Sequence, residues 1–357
     1  MAKSKKRSKN KGLKILGLLV VLAALALGAL SLHNYLLKNR SNIKGKTTLF
    51  VRPEDNFQTL MDSLADKLID IGSFVKVAEK ENLPAKIHAG RYQLDSTTTN
   101  IKLVRSLKYG YQSPLMLPIN GRIRTRQILA SRLSKKLCAD SASFMQAFNN
   151  LELLSTLGVD TTTLLTLIIP ESYEFYWTVS PEEFLKRMKK EYDAFWTPER
   201  LQKARDIKLT QTEVSILASI VYGESNHVPE YPKIASVYLN RLRQGWKLCA
   251  DPTVVYATGD FTLKRVLKKH LQIDSPYNTY KINGLPPGPI MIPTKDCLDG
   301  VLNEEKTDYM YFCASPKFNG THNFARTGAE HSRNAKAYVQ ALDSLNRAKK
   351  MAEKKNS

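Results

Sequence analysis

The run Ile15 to Leu32, ILGLLVVLAALALGALSL, is eighteen residues without a charge, and apolar character resumes at Tyr35, Leu36 and Leu37. At about 1.5 Å of rise per residue, a helix of this length crosses the ~30 Å hydrocarbon core of a bilayer. The competing reading is a cleaved signal peptide, with the small residues near Ala29 as a weak cleavage site. Signal apolar regions are usually about 7–15 residues long, so length favours an anchor over residues 15–37. Lys3, Lys5, Lys6, Arg7, Lys9, Lys11 and Lys14 precede the run, against Lys38, Arg40, Lys44 and Lys46 after it. That bias puts a basic tail, 1–14, in the cytoplasm and everything beyond about residue 38 outside the inner membrane.

The formal net charge of +21 over 357 residues would by itself invite a nucleic-acid partner. Its distribution argues against one. Two basic tails, 1–14 and 346–357, hold much of the charge, and the exported remainder has only the mild excess of a protein beside an anionic surface. The length allows two domains, and 43% hydrophobic residues can build their cores. Cys138, Cys249, Cys297 and Cys313 are far apart with no C-x-x-C pair, which suggests neither a zinc site nor a redox motif and leaves pairing or buried thiols open.

Beyond the anchor the pattern is α+β. A β-rich stretch at 47–53 leads to helically spaced Phe57, Leu60, Met61, Leu64 and Leu68, a short helix over Phe74 to Ala78, and a returning strand, Gly90 to Leu94. This β-α-α-β order over residues 47–115 is that of a small LysM-like carbohydrate-binding module, and it is shared by many other small α+β modules. A helix over Asn100 to Leu107, a strand over Leu115 to Ile119 and helices at Thr125–Leu137, Ser141–Asn149 and Pro181–Trp196 follow. A basic, polar stretch, Pro198 to Leu209, separates this connecting α/β region, 116–208, from a mixed α/β catalytic region, 209–345. Thr210 and Glu213 form a capping box that opens a helix, and Pro232 suits the first turn of another over Lys233 to Arg243, closed by Gly245.

On the first of these helices Val214, Leu217 and Val221, with Ile220 beside them, recur at steps of three and four, and the next member of the series is Glu224. A carboxyl group on an apolar stripe, at a helix C-terminus and beside Tyr222, has its pKa raised. Such a group stays protonated near neutrality, as a general acid for glycosidic cleavage must. The alternative is an exposed residue on a frayed last turn.

Seven blocks bear on that choice: Ala218 to Glu224 (ASIVYGE), Ala235 to Leu242 (ASVYLNRL), Asp251 to Tyr256 (DPTVVY), Tyr277 to Tyr280 (YNTY), Gly284 to Ile290 (GLPPGPI), Tyr309 to Phe312 (YMYF) and His322 to Phe324 (HNF). In this order, over about residues 47–340, the chain resembles the YceG-like endolytic murein transglycosylases, membrane-anchored enzymes that cut peptidoglycan glycan strands. The resemblance places the catalytic Glu at Glu224. It implies non-hydrolytic cleavage between N-acetylmuramic acid and N-acetylglucosamine, with 1,6-anhydro ends, no cofactor, no metal, and peptidoglycan synthases as partners. One stretch departs from the family pattern: Glu171 to Thr178 (ESYEFYWT) keeps its ends and lacks the Pro-Asp step.

Asn240 and Arg241 are candidates for sugar hydroxyls, acetamido groups or peptide carboxylates, unless Arg241 pairs with Asp251 to hold the fold. Asp251 is either a substrate ligand or a cap for a helix beginning at Pro252. Tyr277, Asn278, Thr279 and Tyr280 carry the hydroxyls, amide and rings of a sugar groove, or a turn built on Asn278. Pro286 to Gly288 reads as a rigid cleft wall, and His322 as a structural or substrate contact. Two rivals stand beside the transglycosylase: a hydrolase in which Asp251 or Glu171 activates water, and a non-catalytic wall-binding scaffold. A lyase acting on a cytoplasmic chorismate-derived substrate, a label the family has carried, conflicts with an exported domain.

Overall fold

The computed structural model describes residues 3–355. Met1, Ala2, Asn356 and Ser357, the extremes of the two expected basic tails, lie outside the described residues. The chain opens with helix α1 (Lys3–Asn39), whose stretch Leu13–Asn39 is long and apolar enough to cross a membrane. Leucines such as Leu18 and Leu19 are exposed on it. The chain then divides into two compact units, one of Met1–Leu115 with Glu174–Thr178, the other of Met116–Tyr173 with Val179–Ser357.

In the first unit, β1 (Thr47–Val51), α2 (Phe57–Leu64), α3 (Ile71–Lys80) and β2 (Gly90–Leu94) follow in the expected order, joined by α4 (Asn100–Tyr109). Strands β1 and β2 pair antiparallel from Thr47 opposite Leu94 to Val51 opposite Gly90. Their alternation turns Leu49, Val51, Tyr92 and Leu94 into the core. Asn56 caps α2 by accepting from the backbone N–H groups of Gln58 and Thr59, and Asp70 caps α3 through Ser73. Helix α2 ends at Leu64, and Leu68, the last of the helically spaced residues, lies beyond it as a buried residue bridged to Ile43. Leu103, Val104 and Leu107 of α4 complete the core, with Leu37 of α1 packed on it. Buried Asn42, Ser73 and Asn100 form one polar cluster: Asn42 Nδ2 donates to Asn100 Oδ1 at 2.7 Å, and Asn100 Nδ2 donates to the Leu37 carbonyl at 2.9 Å.

The rest of the chain supplies β3 (Leu115–Ile119), α5 (Arg126–Ser134), α6 (Ser141–Asn149), α7 (Leu151–Thr156), β4 (Glu171–Phe175), α8 (Pro181–Phe195), α9 (Pro198–Asp206), α10 (Gln211–Glu224), α11 (Tyr231–Arg243), α12 (Asp251–Thr258), α13 (Lys295–Leu302), β5 (Tyr311–Ala314), β6 (His322–Ala325) and α14 (Gly328–Lys355). Strands β3 and β4 pair, as do β5 and β6. The second unit holds both the expected connecting region and the expected catalytic region, and α14 runs through the boundary drawn at residue 345. The Glu171 to Thr178 stretch begins as strand β4.

The separator expected at Pro198 to Leu209 is a helix. Thr197 caps α9 and Pro198 fills its first turn, but only Ala204 is buried, so the apolar signal is a single residue. At α10 the Thr210–Glu213 capping box is present, and every residue from Val214 to Val221 is buried, Ser215 and Ser219 included. Ser219 donates to the Ile216 carbonyl and accepts from the Ile290 backbone N–H at 3.0 Å, which ties the Pro-rich loop to the helix. Gly288 lies against Thr162, where a Cβ would stand 2.3 Å from the Thr162 carbonyl oxygen. Pro286 to Gly288 thus forms a packed strut, not the expected wall of a cleft. Helices α10, α11 and α13 pack on one another around this core.

Candidate active site

Glu224 ends α10, and Gly223 before it decides what can approach. A Cβ at Gly223 would stand 2.6 Å from Pro252 Cβ, so only glycine lets the start of α12 come this close and brings Asp251 beside the helix end. From the other side Tyr238 of α11, buried, donates its hydroxyl to Glu224 Oε1 at 2.5 Å. The glutamate is therefore half-buried and held in place, not a frayed surface residue.

Three cavities meet at Glu224. The largest, about 550 Å³, runs over Ser225 to His227 and the β5–β6 turn, with Phe318, Thr321 and Tyr338 among its lining. A second, about 430 Å³, is lined by Arg122, Arg124, Asp251, Phe261, Lys264 and Arg265 with Glu224. A third, about 250 Å³, contains Tyr238, Arg241, Asp251, Tyr280, Phe312 and His322 with Glu224. A chain-like substrate can lie on both sides of this one carboxyl group.

Burial pushes the Glu224 pKa up to about 7, and the charge of Asp251 adds to the shift. The Tyr238 hydrogen bond and Arg241 oppose it by favouring the carboxylate. Near neutrality the group both holds and releases a proton. The Tyr238 phenol is driven well above its usual value by burial and by Glu224, so it stays a donor. Behind them the rings of Tyr238, Phe312 and His322 stack edge to face, at 5.8 and 5.4 Å.

Asp251 and Tyr280, both expected here, line the cavities, and Tyr280 donates its hydroxyl to Asp251 Oδ1 at 2.6 Å. Asp251 caps nothing: it is the first residue of α12, whose cap position is Ala250. His322 also lines two of the cavities, held by Glu230, which accepts from its backbone N–H and faces its Nδ1, both at 2.8 Å.

Other candidates are committed elsewhere. Asn240 Nδ2 donates to the carbonyls of Thr307 and Tyr309, holding the chain that enters β5. Arg241 reaches the third cavity but spends Nε on the Met310 carbonyl and Nη1 on the Leu248 carbonyl, and forms no ion pair with Asp251 among the described residues. Asn278 is fully buried and donates to the Leu271 and Ile273 carbonyls. Thr279, also buried, accepts from the Ala250 N–H and bonds Thr253. The Tyr277 ring packs on Tyr256 at 4.6 Å, outside the three cavities. Asn240, Asn278, Thr279 and Tyr277 build the scaffold instead, the first three by pairing with backbone groups and the last by ring packing. Glu171 pairs with Lys295 at 2.6 Å on the surface and lines none of the cavities.

The sequence reading missed Tyr238, Glu230, Arg122 and Arg124. Tyr238 follows Tyr231 and Ile234 at core spacing and reads as packing, whereas Arg122 and Arg124 flank buried Ile123 in an alternation that does carry a signal. Among the described residues no group of His, Cys, Asp or Glu side chains is placed to hold a metal ion.

Comparison with known proteins shows which family the chain is similar to. A Bacillus subtilis protein named endolytic murein transglycosylase is 37% identical over 175 residues, 49% of this chain and 48% of that one. A Streptococcus pneumoniae protein of the same name is 29% identical over 178 residues, 49% of this chain and 32% of that one. The chain thus matches half or less of the length of these relatives. The crystal structure of a yceG-like protein from Listeria monocytogenes superposes with a TM-score of 0.55 at 27% identity, covering 81% of this chain and 99% of that one. With residues 49–337 matching the YceG-like family as a whole, the chain belongs to that family.

Proposed function

We propose that the chain is an endolytic lytic transglycosylase of peptidoglycan, cutting MurNAc–GlcNAc bonds within glycan strands. The observation that carries this reading is the Glu224 carboxyl, held near pKa 7 where three cavities meet. In its protonated form Glu224 gives its proton to the glycosidic oxygen as the bond to the leaving sugar breaks. The resulting carboxylate takes the proton of the muramoyl C6 hydroxyl, whose oxygen closes the 1,6-anhydro ring. Glu224 ends the cycle protonated, and no water enters the product. Tyr238 orients the carboxyl and steadies its charged form between the two steps.

The names of the relatives support the substrate class. On this reading α1 is a single-pass anchor in the cytoplasmic membrane with its basic flank inside, the second unit faces outward, and the β-α-α-β unit serves as a LysM-like glycan contact. Peptidoglycan synthases that extend the same strands are the expected partners.

A hydrolytic second reading draws on Asp251, which shares two cavities with Glu224. The product end separates the two. Mass spectrometry of purified strands cut by the full chain in detergent is expected to give 1,6-anhydro termini; reducing termini of the same fragments would overturn the transglycosylase in favour of the hydrolase.

A further inference from the structure

The 430 Å³ cavity on one side of Glu224 has an unusual charge balance. Arg122, Arg124, Lys264 and Arg265 line it against two carboxyl groups, Glu224, which Tyr238 holds, and Asp251, which already accepts from Tyr280. None of the four cations forms an ion pair among the described residues. Arg122 donates to Asn226 Oδ1 at 2.8 Å and lies over the Tyr222 ring, which fixes its guanidinium without neutralising it. Arg124 lies over the Phe261 ring at 5.0 Å, and its Nη1 is buried with no hydrogen-bond partner. A buried donor without an acceptor costs free energy, and two adjacent guanidinium groups repel. Burial and Arg122 together pull the Arg124 pKa down. An incoming anion relieves both costs.

The backbone explains why the two arginines act together. After Gly121 the chain turns, with the Ile123 N–H donating to the Gly121 carbonyl at 2.9 Å; Ile123 is buried, and its own carbonyl accepts from the Ile292 N–H at 2.9 Å. With Ile123 pinned inward, Arg122 and Arg124 both line the same cavity.

We propose that this cavity is a carboxylate-binding subsite that engages the peptide stem borne by the muramoyl residue next to the scissile bond. The inference rests on the functional reading above. Sugar rings and acetamido groups are neutral; the anionic groups of an intact peptidoglycan strand are the stem carboxylates and, at a lipid-linked end, a diphosphate. A strand cut internally presents stems throughout and a diphosphate at most once, and a planar carboxylate suits the paired N–H groups of a guanidinium. The subsite would thus make cleavage selective for strands that retain their stems.

The test is binding without turnover, using the full chain carrying Glu224→Gln, a soluble glycan fragment with intact stems, and the same fragment after amidase removal of its stems and capping of the freed lactyl carboxyls as methylamides. Calorimetry is expected to give about tenfold tighter binding of the stem-bearing fragment, one charge-assisted contact's worth. Adding Arg124→Gln should remove most of that ratio, and Arg124→Lys, which keeps the charge and loses the paired N–H groups, should keep only part of it. Should Arg124→Gln fail to fold, Lys264→Gln is read the same way. Equal affinity of the parent for both fragments would overturn the proposal, as would a variant that weakens both fragments equally. A stem-free fragment ending in a diphosphate that shows the same Arg124-dependent advantage would overturn the carboxylate assignment. Because nothing is cleaved here, a wrong product end from the active enzyme would refute the function while leaving this result readable.

Discussion

Two groupings of polar side chains, one in each unit, are held in opposite ways. In the first, Asn42, Ser73 and Asn100 exhaust one another: Asn42 also donates to the Asp70 carbonyl at 2.8 Å and accepts from the Asp70 N–H at 2.8 Å. In the second, Glu224 has a partner for Oε1 in Tyr238 and opens into three cavities, while Arg124 Nη1 has none. A closed network stabilises and specifies a fold, whereas an open one leaves groups with perturbed proton affinity free to meet a ligand.

The contrast is broken most forcefully at Glu224. Glu224→Gln is nearly isosteric but cannot carry a proton, so strand cleavage should fall by at least about 10²–10⁴-fold with the circular dichroism spectrum unchanged. More than a tenth of the normal rate in the folded variant would remove Glu224 from the reaction. In the closed network the effect should be on stability instead. Asn100→Ala strips partners from Asn42 and Ser73 and should cost about 2–4 kcal/mol in urea unfolding, with cleavage by the folded fraction within about twofold of normal. A loss under 0.5 kcal/mol (roughly the level of an inert surface change) would show the cluster to be ornamental.

The open site should reveal its cost through pH. The folded protein binds the Glu224 proton more tightly than the unfolded chain, with the pKa raised from 4.5 to about 7, so this group's contribution to stability is greatest below pH 4.5 and is lost as pH rises toward 7. At pH 8, Glu224→Gln should be more stable than the parent, by up to about 3 kcal/mol and less where solvent reaches the side chain. The gap should close below pH 4.5; a difference independent of pH would contradict the linkage. The smallest effect belongs to Tyr238→Phe. Losing a donor to the carboxylate raises the Glu224 pKa further, so the alkaline fall of kcat/KM should move to higher pH, with about a tenfold lower rate. A shift to lower pH would reverse the assigned role.

Much of this contrast could be read before any coordinates. The Thr210–Glu213 box and the stripe ending in Glu224 place the carboxyl correctly, and strands β2 and β3 and helix α6 have the bounds that their patterns suggest. Periodicity failed where a helix buries one residue, as in α9, and where the missing information is a partner distant in sequence. Tyr238 reads as core because it is core; only its hydroxyl, meeting Glu224 across two helices, is functional. Asn240, Asn278 and Thr279 look like ligands because the side chains that bind sugars also satisfy backbone groups in turns, and only the fold shows which carbonyls they serve.

The central claim is that burial makes Glu224 a proton carrier near neutrality, and titration of its carboxyl carbon by NMR in selectively labelled full chain tests it directly. A midpoint of about 7 is expected, moving higher in Tyr238→Phe. A midpoint near 4.5, insensitive to Tyr238, would contradict it.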